Sequence, residues 1–294
     1  MGVYFILLFI PIILQHVTLD HRNVNYQKRN IASLSVFFII LTILVMLRHE
    51  GVGNDTRNYI HIFNNFSNMP WSSLFKDKLE IGFVLYNKIV SIFSKDPRFF
   101  LALTAIIINC IIYKTYKRLC VDSSLTIVLF CTLSTFIMLF SGIRQMLAVA
   151  IGFIAYEFVR NKKLVAFIIV VCFAVLVHTS AFMLFFMYPI YHANVTKKWL
   201  YIVIPVLCLI WVFNRPIFTV LSVFIERYTK YDASITSTGA FSILFLFIIF
   251  TVFAFLIPDE SRIDKETNGL RNFLLFSLVL QMFAPLHMLA MRMN

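Results

Sequence analysis

The chain is built from long apolar runs that leave it few ways to fold in water. Leu164 to Val177 carries no charged side chain, and neither does Phe241 to Pro258. A backbone placed in lipid must satisfy its own hydrogen bonds, so runs of this kind cross a bilayer as helices. Ten stretches qualify: Gly2 to Val17, Ala32 to Leu47, Phe99 to Tyr113, Leu125 to Phe140, Gly142 to Phe158, Leu164 to Val177, Ser180 to Tyr191, Leu200 to Phe213, Ala240 to Ile257 and Leu270 to Leu289. They predict an all-α, polytopic helical membrane protein with about 10 transmembrane helices plus interfacial helices. Composition agrees, since 60% hydrophobic and 14% charged residues fall outside the range of soluble domains. The N-terminal run has no basic residue ahead of its apolar core and no small-residue cleavage site, so it reads as a first span and not as a removable signal.

A net charge of +12 on a soluble domain would point to nucleic acid. Here the basic residues gather in short clusters between apolar runs, so they report topology and no nucleic-acid partner is expected. The clusters are Arg22/Lys28/Arg29, Lys114/Lys117/Arg118, Arg160/Lys162/Lys163, Lys197/Lys198 and Arg262/Lys265/Arg271. All five fall on the cytoplasmic side if the N-terminus starts outside and Glu80 to Ser94 does not cross. The stretch Gly82 to Phe93 has helical apolar spacing and carries Lys88, which suits a helix lying at the interface, as does Pro216 to Tyr228. If Gly82 to Ser94 crosses instead, Lys114/Lys117/Arg118 and Arg160/Lys162/Lys163 move outside. The first arrangement gives one polytopic domain over 1–294, with residues 48–98 forming an extracytoplasmic segment.

That topology sends Arg48, Asp55, Arg57, Arg144, Gln145, His178 and Arg292 to the outer face together. An arginine costs about 2.5 to 3.5 kcal/mol at the centre of a span, so ionisable groups at the edges of apolar runs mark pathways or reaction sites. Arg48 to Arg57 (RHEGVGNDTR) opens the longest polar segment, where Gly51 and Gly53 permit turns closed to other residues. Its bland reading is a snorkelling arginine and a solvated loop. Arg144 in GIRQMLA could grip phosphate oxygens with a planar fork that lysine lacks; alternatively it anchors at the interface or pairs with Asp55. His178 in HTSA could take a proton from an attacking hydroxyl, or could simply be bonded inside the bundle. Cys110, Cys120, Cys131, Cys172 and Cys208 have no metal or disulfide spacing, and His16, His21, His61, His192 and His287 form no HExxH pattern. No metal and no cofactor is expected. The Asn-x-Ser/Thr triplets at Asn54, Asn65 and Asn194 carry little weight, because such triplets arise often by chance.

The set Arg48 to Tyr59 (RHEGVGNDTRNY), Glu80 to Phe83 (EIGF), Gly142 to Ala148 (GIRQMLA) and His178 to Ala181 (HTSA), in this order, resembles the EpsG-like family of bacterial polysaccharide polymerases, which act like Wzy-type O-antigen and capsule polymerases. The resemblance covers Arg48 to Tyr191. It implies transfer of a growing glycan from an undecaprenyl pyrophosphate carrier onto the next lipid-linked repeat unit, at the outer face of the bacterial plasma membrane, in a fold of the GT-C kind. Donor and acceptor lipids, membrane lipid, a chain-length regulator and a flippase are the implied partners. Family members carry further spans and a C-terminal arginine, to which Arg292 would correspond, and the chain is expected to lack a C-terminal piece.

On this reading Arg48 and Arg144 stabilise the leaving pyrophosphate, with preorganised cations placed where charge develops. His178, ahead of Asp55, takes the proton of the acceptor hydroxyl, while Asp55 orients an arginine or the acceptor. Gln145 and Asn54 bind sugar hydroxyls, and Arg57 and Arg292 complete the substrate-binding set. The expected step is a direct, metal-independent inverting displacement. A lipid-linked glycan flippase would use the same arginines, but along a mid-membrane pathway with broken helices. A ligase would share the donor chemistry and differ only in its acceptor. An intramembrane serine protease using Ser141 or Ser180 lacks the glycine-rich surroundings of an activated serine.

Overall fold

A computed structural model of the chain describes residues 2–17, 26–76, 79–214, 216–217 and 238–283. The described residues form α- and 3-10 helices, with no strand among them. They fall into two compact units, one drawn from 1–157 and 165–182 and the other from 158–164 and 183–294.

The first unit grows from two antiparallel helices, α2 (Tyr26–Met46) and α5 (Pro97–Leu119). On α2 the buried residues Leu34, Phe37, Phe38, Leu41 and Val45 recur every three or four positions. Leu101, Ala105, Ile108 and Ile112 do the same on α5, so each helix turns one stripe inward. Phe37 and Phe38 meet Phe130 of α6 (Ser123–Thr132) with ring centroids 5.5 and 5.6 Å apart, edge to face. Ahead of them lies α1 (Gly2–Val17), whose Pro11 carbonyl accepts a hydrogen bond from Ser33.

Polar side chains tie the ends of these helices at one pole. Asn30 donates to the Val121 carbonyl at 2.7 Å, Ser123 donates to Gln15 at 2.6 Å, and Gln15 donates to Asp122 at 3.1 Å. Asp122 also caps α6 by accepting from the Leu125 amide. At the opposite pole Asp96 caps α5 ahead of Pro97, a residue suited to the first helical turn. There Arg98 donates to the Arg48 carbonyl at 2.8 Å, joining the start of α5 to the end of α2.

The segment between α2 and α5 folds as α3 (Thr56–Asn68), a short 3-10 turn (Trp71–Lys76) and α4 (Ile81–Phe93). Tyr59, Phe63 and Phe66 line one face of α3, and the first two join Phe83, Phe100, Leu101 and Ile143 in a buried core. Phe63 and Phe100 stack at 4.7 Å. Lys88 of α4 finds its partners within the protein. It is buried, and its ammonium donates to the carbonyls of Phe66, Ser67 and Met69 at 3.3, 3.2 and 2.7 Å. These oxygens close the C-terminal end of α3, where unpaired acceptors and the negative end of the helix dipole favour a cation.

Helix α7 (Ser134–Ser141) follows α6 with a bend of 55°, and α8 (Ile143–Arg160) and α9 (Leu164–Val177) complete the sequence of long apolar segments. By length and composition α2 and α5 are able to cross a membrane, and α6 with α7 makes a third crossing if the bent pair counts as one. The ten apolar runs therefore do not become ten bilayer-length helices among the described residues. Helix α8 contains Arg144, Glu157 and Arg160, and α9 has 14 residues, about 21 Å at 1.5 Å per residue. The run expected to cross from Ser180 to Tyr191 is a 3-10 helix (Thr179–Phe186) followed by α10 (Met187–His192). The second interfacial stretch, 216–228, lies almost wholly outside the described residues.

In the second unit, α11 (Leu200–Val212) and the helices Thr238–Leu256 and Lys265–Gln281 share a core of Leu207, Leu244, Leu278 and Met282. Arg271 is buried, not in a solvated loop. It lies 4.1 Å over the Phe255 ring and 2.9 Å from Glu260. The Asn272 amide donates to the carbonyls of Ile190 and Ala193, closing α10.

Candidate active site

The site starts from a glycine that lets two helix ends touch. A Cβ on Gly82 would stand 2.7 Å from the Leu176 carbonyl oxygen, so only glycine allows the first turn of α4 to meet the last turn of α9. The residue two places before it, Glu80, is the N-cap residue of α4, and the residues just past α9 are His178 and Thr179. The contact sets the carboxylate beside the imidazole.

Glu80 gathers the site. One carboxylate oxygen accepts from an Arg144 guanidinium nitrogen at 2.6 Å. The other accepts from the Thr179 hydroxyl at 3.1 Å and from its amide at 3.4 Å. His178 Nδ1 stands 3.7 Å from that same oxygen, beyond hydrogen-bond range, so the contact is a charge pairing available when the imidazole is protonated. Burial alone would raise the Glu80 carboxyl. The nearby His178, the backbone amides and the Arg144 charge outweigh it and hold the group far below the usual carboxylate range. Glu80 is an anion whose side chain is 11% exposed. Arg144, in the first turn of α8, lies 5.8 Å over the Phe83 ring, and its Nε is buried with no hydrogen-bond partner among the described residues.

Arg48 shares this pole. It follows α2 directly and is 5% exposed, with one nitrogen donating to the Val45 carbonyl at 3.1 Å. Its Nε and other terminal nitrogen are buried without a hydrogen-bond partner among the described residues. Burial pushes this guanidinium down to about 10, so it remains a cation at neutral pH. Tyr59, which bears on the Arg48 charge, packs against Phe83 at 5.9 Å, and Phe83 is the ring beneath Arg144. The two arginines thus border one aromatic core. At the far end of α8, Glu157 pairs with Arg118 of α5 at 3.1 Å, which fixes α8 with Arg144 at the Arg48 pole and Glu157 at the other.

The polar loop after Arg48 docks just ahead of Arg144. Gly53 has φ of +84°, and a Cβ there would sit 2.0 Å from the Phe140 carbonyl oxygen. Thr56 donates to that oxygen at 3.1 Å, and the Asn54 amide donates to Ser141 at 3.2 Å. Asn54 therefore docks through its backbone, with its side chain exposed. Asp55 is the N-cap residue of α3 without a side-chain cap bond, and Arg144 pairs with Glu80 and not with Asp55. Arg57 is exposed and 3.9 Å from Glu50. Gln145 is half-buried beside Arg144. Arg292 lies outside the described residues.

Sequence reasoning singled out Arg144 and His178 but gave the carboxylate between them no role. Its signal was present as an acid two residues before a glycine at the start of an apolar helix, and nothing in the linear order shows that α9 ends against that glycine.

Among the described residues no group of histidine, cysteine and carboxylate side chains is arranged to hold a metal ion. No curated protein and no solved structure matches the chain. The profile of the EpsG family matches residues 31–294, a span that includes Arg48, Glu80, Arg144 and His178. A helical membrane protein with this match over nearly its whole length belongs to the EpsG family, whose members are polysaccharide polymerase-like.

Proposed function

We propose that the protein polymerises lipid-linked oligosaccharide repeat units into a surface polysaccharide, with undecaprenyl pyrophosphate as the carrier of the donor glycan. The observation that carries this reading is the meeting of Arg144 and His178 on Glu80, at the pole where Arg48 is buried. Transfer needs a cationic grip on a departing diphosphate and a base for an attacking hydroxyl, and these groups offer both. The acceptor hydroxyl attacks the anomeric carbon, its proton passes to His178, and the bond from that carbon to the pyrophosphate oxygen breaks. Undecaprenyl pyrophosphate leaves as an anion against Arg48, Arg144 and the positive end of α8. The result is a direct inverting displacement in which guanidinium groups supply the positive charge. Glu80 acts as a positioning residue, orienting Arg144 and pairing with the imidazolium formed after proton transfer.

The excess of basic residues around the opposite pole, including Lys114, Lys117 and Arg118, supports placing the site at the outer face of the plasma membrane. Arg144→Lys, His178→Ala and Arg48→Ala variants, produced in a host lacking the native protein, are expected to insert normally and to yield surface glycan capped at one repeat unit. Long ladders from all three would overturn the assignment. Complete loss of surface glycan would favour a flippase or a ligase instead.

A further inference from the structure

The first unit holds a cleft of about 420 Å³, lined in part by Leu79, that the proposed reaction does not use. Asn64, Asn65 and Asn68 line it together with Phe66, Met69 and Leu79. The volume falls within the range of small-molecule sites.

Its chemistry is selective in what it lacks. Among the described residues no ionisable side chain lines the cleft. The polar groups are carboxamides, each with a donor and an acceptor side by side. Asn64 and Asn65 are exposed at the end of α3, and their side-chain amides make no hydrogen bond among the described residues. Asn68 is anchored, donating to the Asn64 carbonyl at 3.0 Å and accepting from Lys95 at 3.3 Å. Lys88 beneath fixes the end of α3 through its three carbonyl contacts, so the asparagines sit on a rigid support. Adjacent carboxamides match vicinal hydroxyls, and the half-buried Met69 and Leu79 match the C–H face of a pyranose.

Leu79, which lines the cleft, is the direct neighbour in sequence of Glu80, which holds Arg144. We infer that this cleft is a saccharide subsite, binding a neutral sugar of the lipid-linked glycan while the arginines at the adjoining site hold its diphosphate. The inference rests on the polymerase reading for its substrate, and on the cleft alone for its ligand class.

The test uses the full chain purified in detergent and a water-soluble probe, the repeat-unit oligosaccharide released by mild acid from the host's lipid-linked intermediates. Binding is measured by saturation-transfer NMR titration for the wild type, the Asn64→Ala/Asn65→Ala double variant and Arg144→Lys. The double variant is expected to bind about tenfold more weakly, as loss of two neutral hydrogen bonds implies. Its melting temperature should be unchanged, because both side chains are exposed, and Arg144→Lys should bind the probe as the wild type does. In cells the double variant should give shortened ladders, not a single-unit cap. Wild-type affinity in the double variant, or no binding by the wild type, overturns the subsite and leaves the polymerase reading standing on Arg144→Lys. Long ladders from Arg144→Lys, His178→Ala and Arg48→Ala alike overturn the polymerase reading, and probe binding that depends on the asparagines would survive that result.

Discussion

Replacing Glu80 by glutamine removes the charge that joins Arg144 to His178 while keeping nearly the same shape. At the observed 2.6 Å, and with an effective dielectric of about 20, the Glu80–Arg144 attraction amounts to roughly 6 kcal/mol before desolvation. Desolvation of the pair and the surviving amide bonds to Thr179 offset much of it, so the expected net loss is about 2 to 3 kcal/mol. Two assays report on it, thermal unfolding in detergent and the ladder of surface glycan in a complemented host. The variant should melt lower and make no long polymer, because Arg144 then lacks its tether. In a double-mutant cycle with Arg144→Gln, the combined loss should fall well short of the sum of the two single losses. The pH dependence has a definite sign. Because the folded Glu80 carboxyl lies far below its unfolded value, its contribution is complete above pH of about 4.3 and is lost as the pH falls below that value. The gap between wild type and Glu80→Gln should therefore shrink as the pH falls from about 4.3 toward 3. Long ladders together with additive losses in the cycle would refute the argument that the carboxylate organises the site.

Gly82→Ala places a methyl group 2.7 Å from the Leu176 carbonyl oxygen and must push α4 from α9, so polymer formation should fall roughly 100-fold, read from ladder yield at normal protein levels. Lys88→Met strips the ammonium from three carbonyls at the end of α3, and thermal unfolding should show a loss of about 3 kcal/mol. Lys162, at φ of +56°, follows α8 in a Schellman turn, its amide reaching Val159 and that of Lys163 reaching Phe158. Lys162→Gly should stabilise the chain by about 1 kcal/mol in the same assay, since glycine adopts this backbone without strain.

Apolar periodicity and length were sufficient to call an all-helical membrane protein, because burying a backbone in lipid admits few alternatives. The bounds of α9 at Leu164 and Val177 and the break at Gly142 were likewise legible, since a charge or a glycine ends each apolar run. Helix count was not. The run Leu125 to Phe140 bends by 55° between α6 and α7, and Ser180 to Tyr191 opens as a 3-10 helix; neither departure leaves a mark in hydropathy. Lys88 shows the same limit in one residue. As a letter in an amphipathic stretch it names no partner, and only the packing of α3 beside α4 supplied the carbonyls that hold its charge.

The linear chain contained the candidate chemistry as residue types, two arginines and a histidine at the edges of apolar runs. Tertiary structure alone supplied the carboxylate that joins Arg144 to His178. A charge in sequence has no partner until packing provides one, and here a glycine that lets two helix ends touch determines which partner it finds.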